Sequence, residues 1–456
     1  MNAKNTSSTS PLFYSPESLR DISLKMLQMA KDLGATDAAS EVSESSGLSV
    51  AVRMQDIETL ERTRDRSASI TVYSGLKRGH ATTSDFSDAA LKDSIAKALD
   101  IARYTAEDPC AGLPEAHVIA RDFPALDLYF PWKINAEEAV KLALGAEKAA
   151  LGVDPAIQNT EGASVSANHG QFYAANTQGF LGGYPYSRHW LSVAPIARSG
   201  MAMQRDDWYT SDRNPRNLSD PEAVGRYAAQ RALARLNARK IPTQRVPVLF
   251  EAPLASGILG AFVQAVSGSA LYRKTTFLLD SLGQQVFPSH IQVHENPLLP
   301  GAMGSTPFDD EGVRVQARDV ISNGVVQGYF LSCYTARKLG MQTTGNAGGS
   351  HNLTMRSTAT RPGDDLTAML KKMGRGLLVT EVMGQGVNYV TGDYSRGAFG
   401  YWVENGEIQY PVEEITIASN MKDMFSGIVA IGADELCRGT KTTGSILINE
   451  MTIAGD

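Results

Sequence analysis

Apolar positions recur at helical spacing in separate segments of the first half of the chain, with alternating segments between them. Leu19, Ile22, Met26, Met29 and Leu33 fall on one helical face. Ser15, Pro16 and Glu17 supply a cap and a proline at the first helical position, and Gly34 supplies a stop. From Asp37 to Ser84 the period changes to two, as in 49–53 and 69–74, with Gly47, Gly75 and Gly79 as punctuation, which predicts an antiparallel meander. A second amphipathic helix is predicted from Asp88 to Ala106, on Leu91, Ile95, Leu99 and Ala102. A Pro-bearing connector, 108–131, leads to a third helix from Ala136 to Leu151. Alternating strands at 172–176 and 190–194 follow, then a fourth helix from Pro221 to about Ala238.

Lys240, Pro242 and Thr243 mark a boundary, after which the pattern turns to strand and turn. Residues 246–250 predict a buried strand, 254–268 an apolar helix, and 364–374 a helix interrupting strands around Val379, Val387, 401–403 and 415–417. The expectation is an α+β protein: a disordered tail at 1–14, an N-terminal domain at 15–240 mixing an antiparallel meander with helices, and a C-terminal domain at 241–456 dominated by a large antiparallel β-sheet.

Composition narrows the class. With 456 residues, 43% hydrophobic and 20% charged, the chain can bury a large core without disulfides or metals. A net charge of −6 disfavours a nucleic-acid partner. Three cysteines, Cys110, Cys333 and Cys437, stand in no paired spacing, as expected in a reducing compartment. The first residues lack a basic start and an apolar run, and no stretch approaches the roughly 20 apolar residues of a membrane span. A cytoplasmic protein is the expectation.

Candidate chemistry is sparse. The seven histidines form neither HExxH nor HExxxH. His290 and His294, followed by Glu295, have ligand-like spacing, but Ile291 and Val293 alternate as in a strand, where residues four apart are about 13 Å distant. That reads as surface or sheet histidines. No nucleophile elbow or phosphate loop is present. Cys333 follows the apolar run 329–331 and reads as a buried hydrophobe, while Cys437 beside Arg438 is a weak candidate for a reactive thiol. The richest segment is 343–352, where Gly345, Gly348 and Gly349 let main chain come close to another chain. Together with Asn346 and His351 they are the candidate peptide-contacting loop, by strand addition, with a mobile loop as the alternative.

Several runs then match one family in order. They are Ser305-Thr306-Pro307-Phe308-Asp309, Glu311-Gly312-Val313, 344–349, Met383-Gly384-Gln385-Gly386-Val387, Thr391 to Gly397, Trp402 to Ile408, Pro411-Val412, 415–418 and 450–455. In these the chain resembles the TldD/PmbA family, the modulators of DNA gyrase, and its PmbA (TldE) branch in particular. The resemblance implies a zinc metallopeptidase built as a heterodimer, in which a TldD-type partner carries HExxxH on a helix and a downstream cysteine.

In this chain the corresponding helix is 257–265. Gly260 and Ala261 stand at the partner's His-Glu, Ala265 at its second His, and Thr443 and Gly444 near its cysteine. The implied role is a non-catalytic subunit that binds no cofactor, leaves the zinc to the partner, and shapes a chamber for small or unfolded peptides. A homodimer of this chain is compatible with the shared fold. The alternatives are a regulatory protein-binding module acting on gyrase and a hydrolase using His290, His294 or Cys437.

Overall fold

The computed structural model describes residues 11–455 and divides the chain into two units: residues up to 197 with 205–232, and 198–204 with 233 onward.

Before the second unit's main segment the chain forms α1 (Pro16–Asp32), β1 (Asp37–Arg53), β2 (Asp56–Ser74), β3 (Lys77–Thr83), α2 (Asp88–Tyr104), α3 (Ala136–Leu151), β4 (Ile157–Asn176), β5 (Leu181–Ser199), β6 (Ala202–Arg205), β7 (Trp208–Asp212) and α4 (Pro221–Ala234). The strands form one sheet in the order β3-β2-β1-β4-β5-β6, with β7 beside β5. The Ser18 N–H donates to Ser15 Oγ at 3.2 Å and starts α1 as expected. Leu19 and Met26 of α1 and Leu91, Ile95 and Ala98 of α2 bury completely against Val42, Ile70 and Val72 of the sheet. Each large aliphatic side chain so covered contributes roughly 1.5–3 kcal/mol. The helix α3 opens with a reciprocal capping box between Asn135 and Glu138.

The expected tail at 1–14 falls, for 1–10, outside the described residues. Residues 13 and 14 are anchored, because their main-chain N–H groups donate to Glu44 at 3.0 and 2.8 Å. The meander is built of longer strands than the alternation suggested. In β2 the stretch 56–66 is exposed throughout and charged, so no apolar period marks it. The β1–β2 turn holds Met54 and Gln55 at φ 50° and 63°. The buried Glu147 carboxylate accepts their N–H groups at 2.9 and 2.7 Å, which fixes this left-handed pair without glycine.

The second unit runs β8 (Gln244–Phe250), α5 (Ala252–Ala265), α6 (Gly268–Tyr272), β9 (Ile291–Asn296), β10 (Arg318–Ser322), β11 (Val325–Val326), α7 (Cys333–Leu339), β12 (Asn352–Ser357), α8 (Leu366–Met373), β13 (Gly376–Met383), β14 (Asp393–Glu404), β15 (Glu407–Asn420), α9 (Met421–Ser426), β16 (Ile428–Ile431), β17 (Leu436–Arg438), β18 (Lys441–Thr443) and β19 (Ile446–Ala454). The α+β class holds. The single large sheet expected here is in fact two six-stranded sheets, β11-β10-β9-β12-β18-β17 and β15-β14-β13-β8-β19-β16. Both are mixed: β12–β18 and β13–β8 run parallel. In the second, β15 also pairs with β19 and closes the ladder on itself. A core of Phe262, Phe287 and Phe425, with ring centroids 4.8–6.1 Å apart, seats α5 in this unit.

Candidate functional site

Two places in the second unit hold the residues singled out by the sequence. The first is α5. Its inner face, Ile258, Leu259, Ala261, Phe262 and Ala265, is buried, while Gly257 is exposed and Gly260 half-exposed. A methyl built on Gly260 would stand 3.7 Å from Lys441 Cε, so the lysine stem of β18 lies across this turn. Burial lowers the Lys441 amine below its ordinary pKa. Thr443 is wholly buried, and Gly444 packs where any side chain would strike the Gly432 carbonyl. Cys437 is exposed on β17.

The second place is the loop 343–352. Gly345, Gly348 and Gly349 have φ of 69°, 94° and 114°, a region that disfavours any other residue. The loop closes on Glu295 of β9, which is 1% exposed. Glu295 Oε1 accepts the His351 N–H at 2.9 Å and the Asn346 amide at 2.8 Å, with His351 Nδ1 at 3.0 Å. Its Oε2 accepts Arg318 Nε at 2.8 Å. Arg318 also donates to Asn346 Oδ1, as does the Thr344 hydroxyl, at 3.0 and 2.7 Å. Burial would raise the Glu295 carboxyl, but His351 and the Arg318 charge outweigh it and bring it to about 2.

Beside the loop, Asp309 accepts N–H groups from Glu311, Val313 and Ala347 at 2.9–3.0 Å. Burial nonetheless pushes its carboxyl up to about 7. Cys333 is buried at the start of α7, its thiol raised by burial and by nearby Glu311. It matches the buried-hydrophobe reading and is a poor nucleophile.

This geometry revises the peptide-contacting loop. Gly345, Asn346 and His351 are buried: the carboxylate and guanidinium claim the polar atoms of Asn346 and His351, while the Gly345 N–H donates to the Thr343 hydroxyl at 3.2 Å. Of the five, only Gly348 and Gly349 are exposed, and Gly349 already spends its N–H on the Asn346 carbonyl and its C=O on the Asn346 amide, both at 3.0 Å. The histidines lie where strand spacing put them. His294, on β9, pairs with Asp319 at 2.7 Å on the surface, and His290 Nδ1 lies 2.9 Å from Ser357 Oγ. The sequence reading missed Glu295, Arg318 and Asp309. Glu295 carried a signal, since it continues the inward phase of Ile291 and Val293 and so places a carboxylate inside a sheet. Asp309 stood only within the family-matching run 305–309, and Arg318 carried no signal.

The chain matches PmbA/TldA metallopeptidase domain 1 over residues 41–102, the central domain over 129–236 and the C-terminal domain over 243–455. It belongs to the PmbA/TldD metallopeptidase family, in the PmbA branch. It is 47% identical over 423 residues to the metalloprotease PmbA of Escherichia coli O157:H7, covering 92% of this chain and 93% of that protein. To the metalloprotease PmbA homolog of Haemophilus influenzae it is 45% identical, covering 98% and 99%. Among solved structures it is similar to a candidate modulator of DNA gyrase from Bacteroides thetaiotaomicron, with a TM-score of 0.91 and 25% identity over 97% of this chain and all of that one. TldE from Thermococcus kodakarensis, at 20% identity and a TM-score of 0.84 over 95% of this chain and all of that one, shares the fold.

A metallopeptidase family implies a metal, and the residues on α5 do not fit one. Glycine and alanine offer no lone pair, and the nearest side chain with a nitrogen is a lysine, whose charged form repels a cation. Among the described residues no group of three or more His, Cys, Asp or Glu is arranged to hold a metal ion. Nor is any helix among them long and apolar enough to cross a membrane.

Proposed function

We propose that this chain is the non-catalytic TldE-type subunit of a cytoplasmic TldD/TldE peptidase that degrades small or unfolded peptides. The zinc and its general base belong to a TldD-type partner, and this chain supplies part of the wall around the substrate. The observation that supports it most is the turn Gly257–Ala261, where Gly260 and Ala261, which the family resemblance aligns with the partner's His-Glu, offer no side-chain donor and the Lys441 stem lies beside Gly260. Ala265 is buried without a polar atom to offer. The exposed Gly348 gives an extended peptide access to main chain.

The test is a peptidase assay on an unfolded peptide with this chain alone, a TldD-type chain alone, and the two mixed. The proposal expects no chelator-sensitive cleavage by this chain and the highest rate in the mixture. Chelator-sensitive cleavage by this chain alone would overturn it.

A further inference from the structure

Across β2, β1 and β4 the strand register gathers polar side chains on one face of the first unit's sheet. Ser46 stands opposite Arg64 on one side and His169 on the other, and two residues along, Leu48 stands opposite Arg62 and Ala167. Directly opposed residues share a face, as do residues two apart on one strand. Arg62, Arg64, Ser46 and His169 therefore project from the same side. The segment leading into α3 lies over this row, because the Trp132 N–H donates to His169 Nε2 at 3.0 Å. With Trp132 and Lys133 as further walls, the row borders a cleft of about 570 Å³. Small-molecule sites have volumes of roughly 300–1,000 Å³.

All the charge bordering the cleft is positive. Arg62, Arg64 and Lys133 are exposed and have no ion-pair or hydrogen-bond partner among the described residues, and no Asp or Glu lines the cleft. Next along the same face, Glu44 lies opposite Arg66. Its carboxylate is taken by the N–H groups of residues 13 and 14 and by the Gln171 amide at 2.6 Å. Like charges held side by side on one strand repel until an anion lies between them.

His169 points to a ligand independently of these charges. It lines the cleft and is 5% exposed. A main-chain N–H can only donate, so Nε2, which accepts from Trp132, is the unprotonated nitrogen of the ring. Burial and the neighbouring His189, 5.4 Å away between ring centroids, lower the His169 pKa to about 4, so at neutral pH the ring is uncharged and carries its proton on Nδ1. That N–H has no acceptor among the described residues. Buried donors are rarely left unpaired, and this one stands in the same row as two free guanidinium groups.

We propose that this cleft binds a small molecule carrying a dianionic phosphate group. Arg62, Arg64 and Lys133 surround the charge, His169 Nδ1–H and the Ser46 hydroxyl donate to its oxygens, and Trp132 borders its organic part. Three unpaired cations suit a dianion better than the single charge of a carboxylate, and guanidinium forks match phosphate oxygens. The inference lies wholly within the first unit and does not rest on the proposed proteolytic role.

Isothermal titration calorimetry of the full chain in phosphate-free buffer, with phenyl phosphate as the probe, tests it. Saturable binding is expected, with inorganic phosphate competing. Benzoate, which keeps the ring but has a single charge, should bind roughly tenfold more weakly or worse. Arg62→Gln and Arg64→Gln should each weaken phenyl phosphate by roughly tenfold, the worth of one charge-assisted hydrogen bond. Both side chains are exposed and have no partner to lose, so the variants keep the fold, and the wild-type titrations need no variant at all. Arg20→Gln, on α1 outside the cleft, should leave binding unchanged. The proposal is overturned if phenyl phosphate does not bind at millimolar concentration, if benzoate binds as tightly, if neither cleft variant weakens binding, or if Arg20→Gln weakens it equally, which would mark diffuse attraction to surface charge.

Discussion

Two turns in the second unit differ in what their glycines do. In the loop 343–352 glycines hold backbone that other residues resist, and the Asn346 amide, His351 and Arg318 converge on one buried carboxylate. On α5, Gly257 and Gly260 have ordinary helical backbone and little around them, and the only polar side chain brought near Gly260 is a half-buried lysine stem. The difference teaches where this chain keeps its chemistry. Charged and amide groups fix the loop beside the exposed Gly348 and Gly349, while the helical turn that the family resemblance assigns to metal binding is left without donors.

Removing the centre of the first turn should have the largest effect. Glu295→Ala leaves Arg318 buried without its carboxylate and frees the loop, and should lower the unfolding free energy of the second unit by about 3–5 kcal/mol in urea denaturation. A loss below about 1 kcal/mol would mean the network is ornamental. Acid should reproduce part of this. The Glu295 carboxyl is held at about 2, below its ordinary 4.5. The stability it contributes is whole above 4.5 and is lost as pH falls from there towards 2, a change on the order of 3 kcal/mol. Calorimetry across that window should show the wild type losing stability more steeply than Glu295→Gln.

One kind of substitution should then have opposite signs in the two turns. Gly348→Ala forces a left-handed residue and drives a methyl to 2.4 Å from Asp310, so it should cost about 1–3 kcal/mol. Gly257→Ala, exposed with nothing within 4 Å, should stabilise by roughly 0.5–1 kcal/mol. Equal effects on the two midpoints would erase the distinction. The smallest change is expected from Lys441→Met, within about 0.5 kcal/mol, because the amine has no hydrogen-bond or ion-pair partner among the described residues. A drop beyond about 2 kcal/mol would reveal an anion held there.

Much of this architecture was legible because it is local. The helices α1, α3 and α8 announce themselves by a cap and a 3.6-residue period, as with Ser15-Pro16, Asn135 with Glu138, and Asp365. The helix α7 was readable in principle from the Ser332–Thr335 capping box and Gly340, but the apolar run before it hid the change of period. The outer half of β2 was not readable, because a strand exposed on both faces has no hydrophobic alternation. Nor was the division of the second unit into two sheets, since β8 pairs with β13 and β19 far along the chain. The loop's rigidity depends on Glu295, more than fifty residues before His351, and no local pattern reports such a contact.

The central claim, that this chain provides no metal centre of its own, is tested most directly by its metal content. The isolated chain, purified with zinc supplied and then dialysed, should hold well under one equivalent by elemental analysis, and a chelator should leave its thermal unfolding unchanged. One zinc retained per chain, with unfolding lowered by the chelator, would contradict the account.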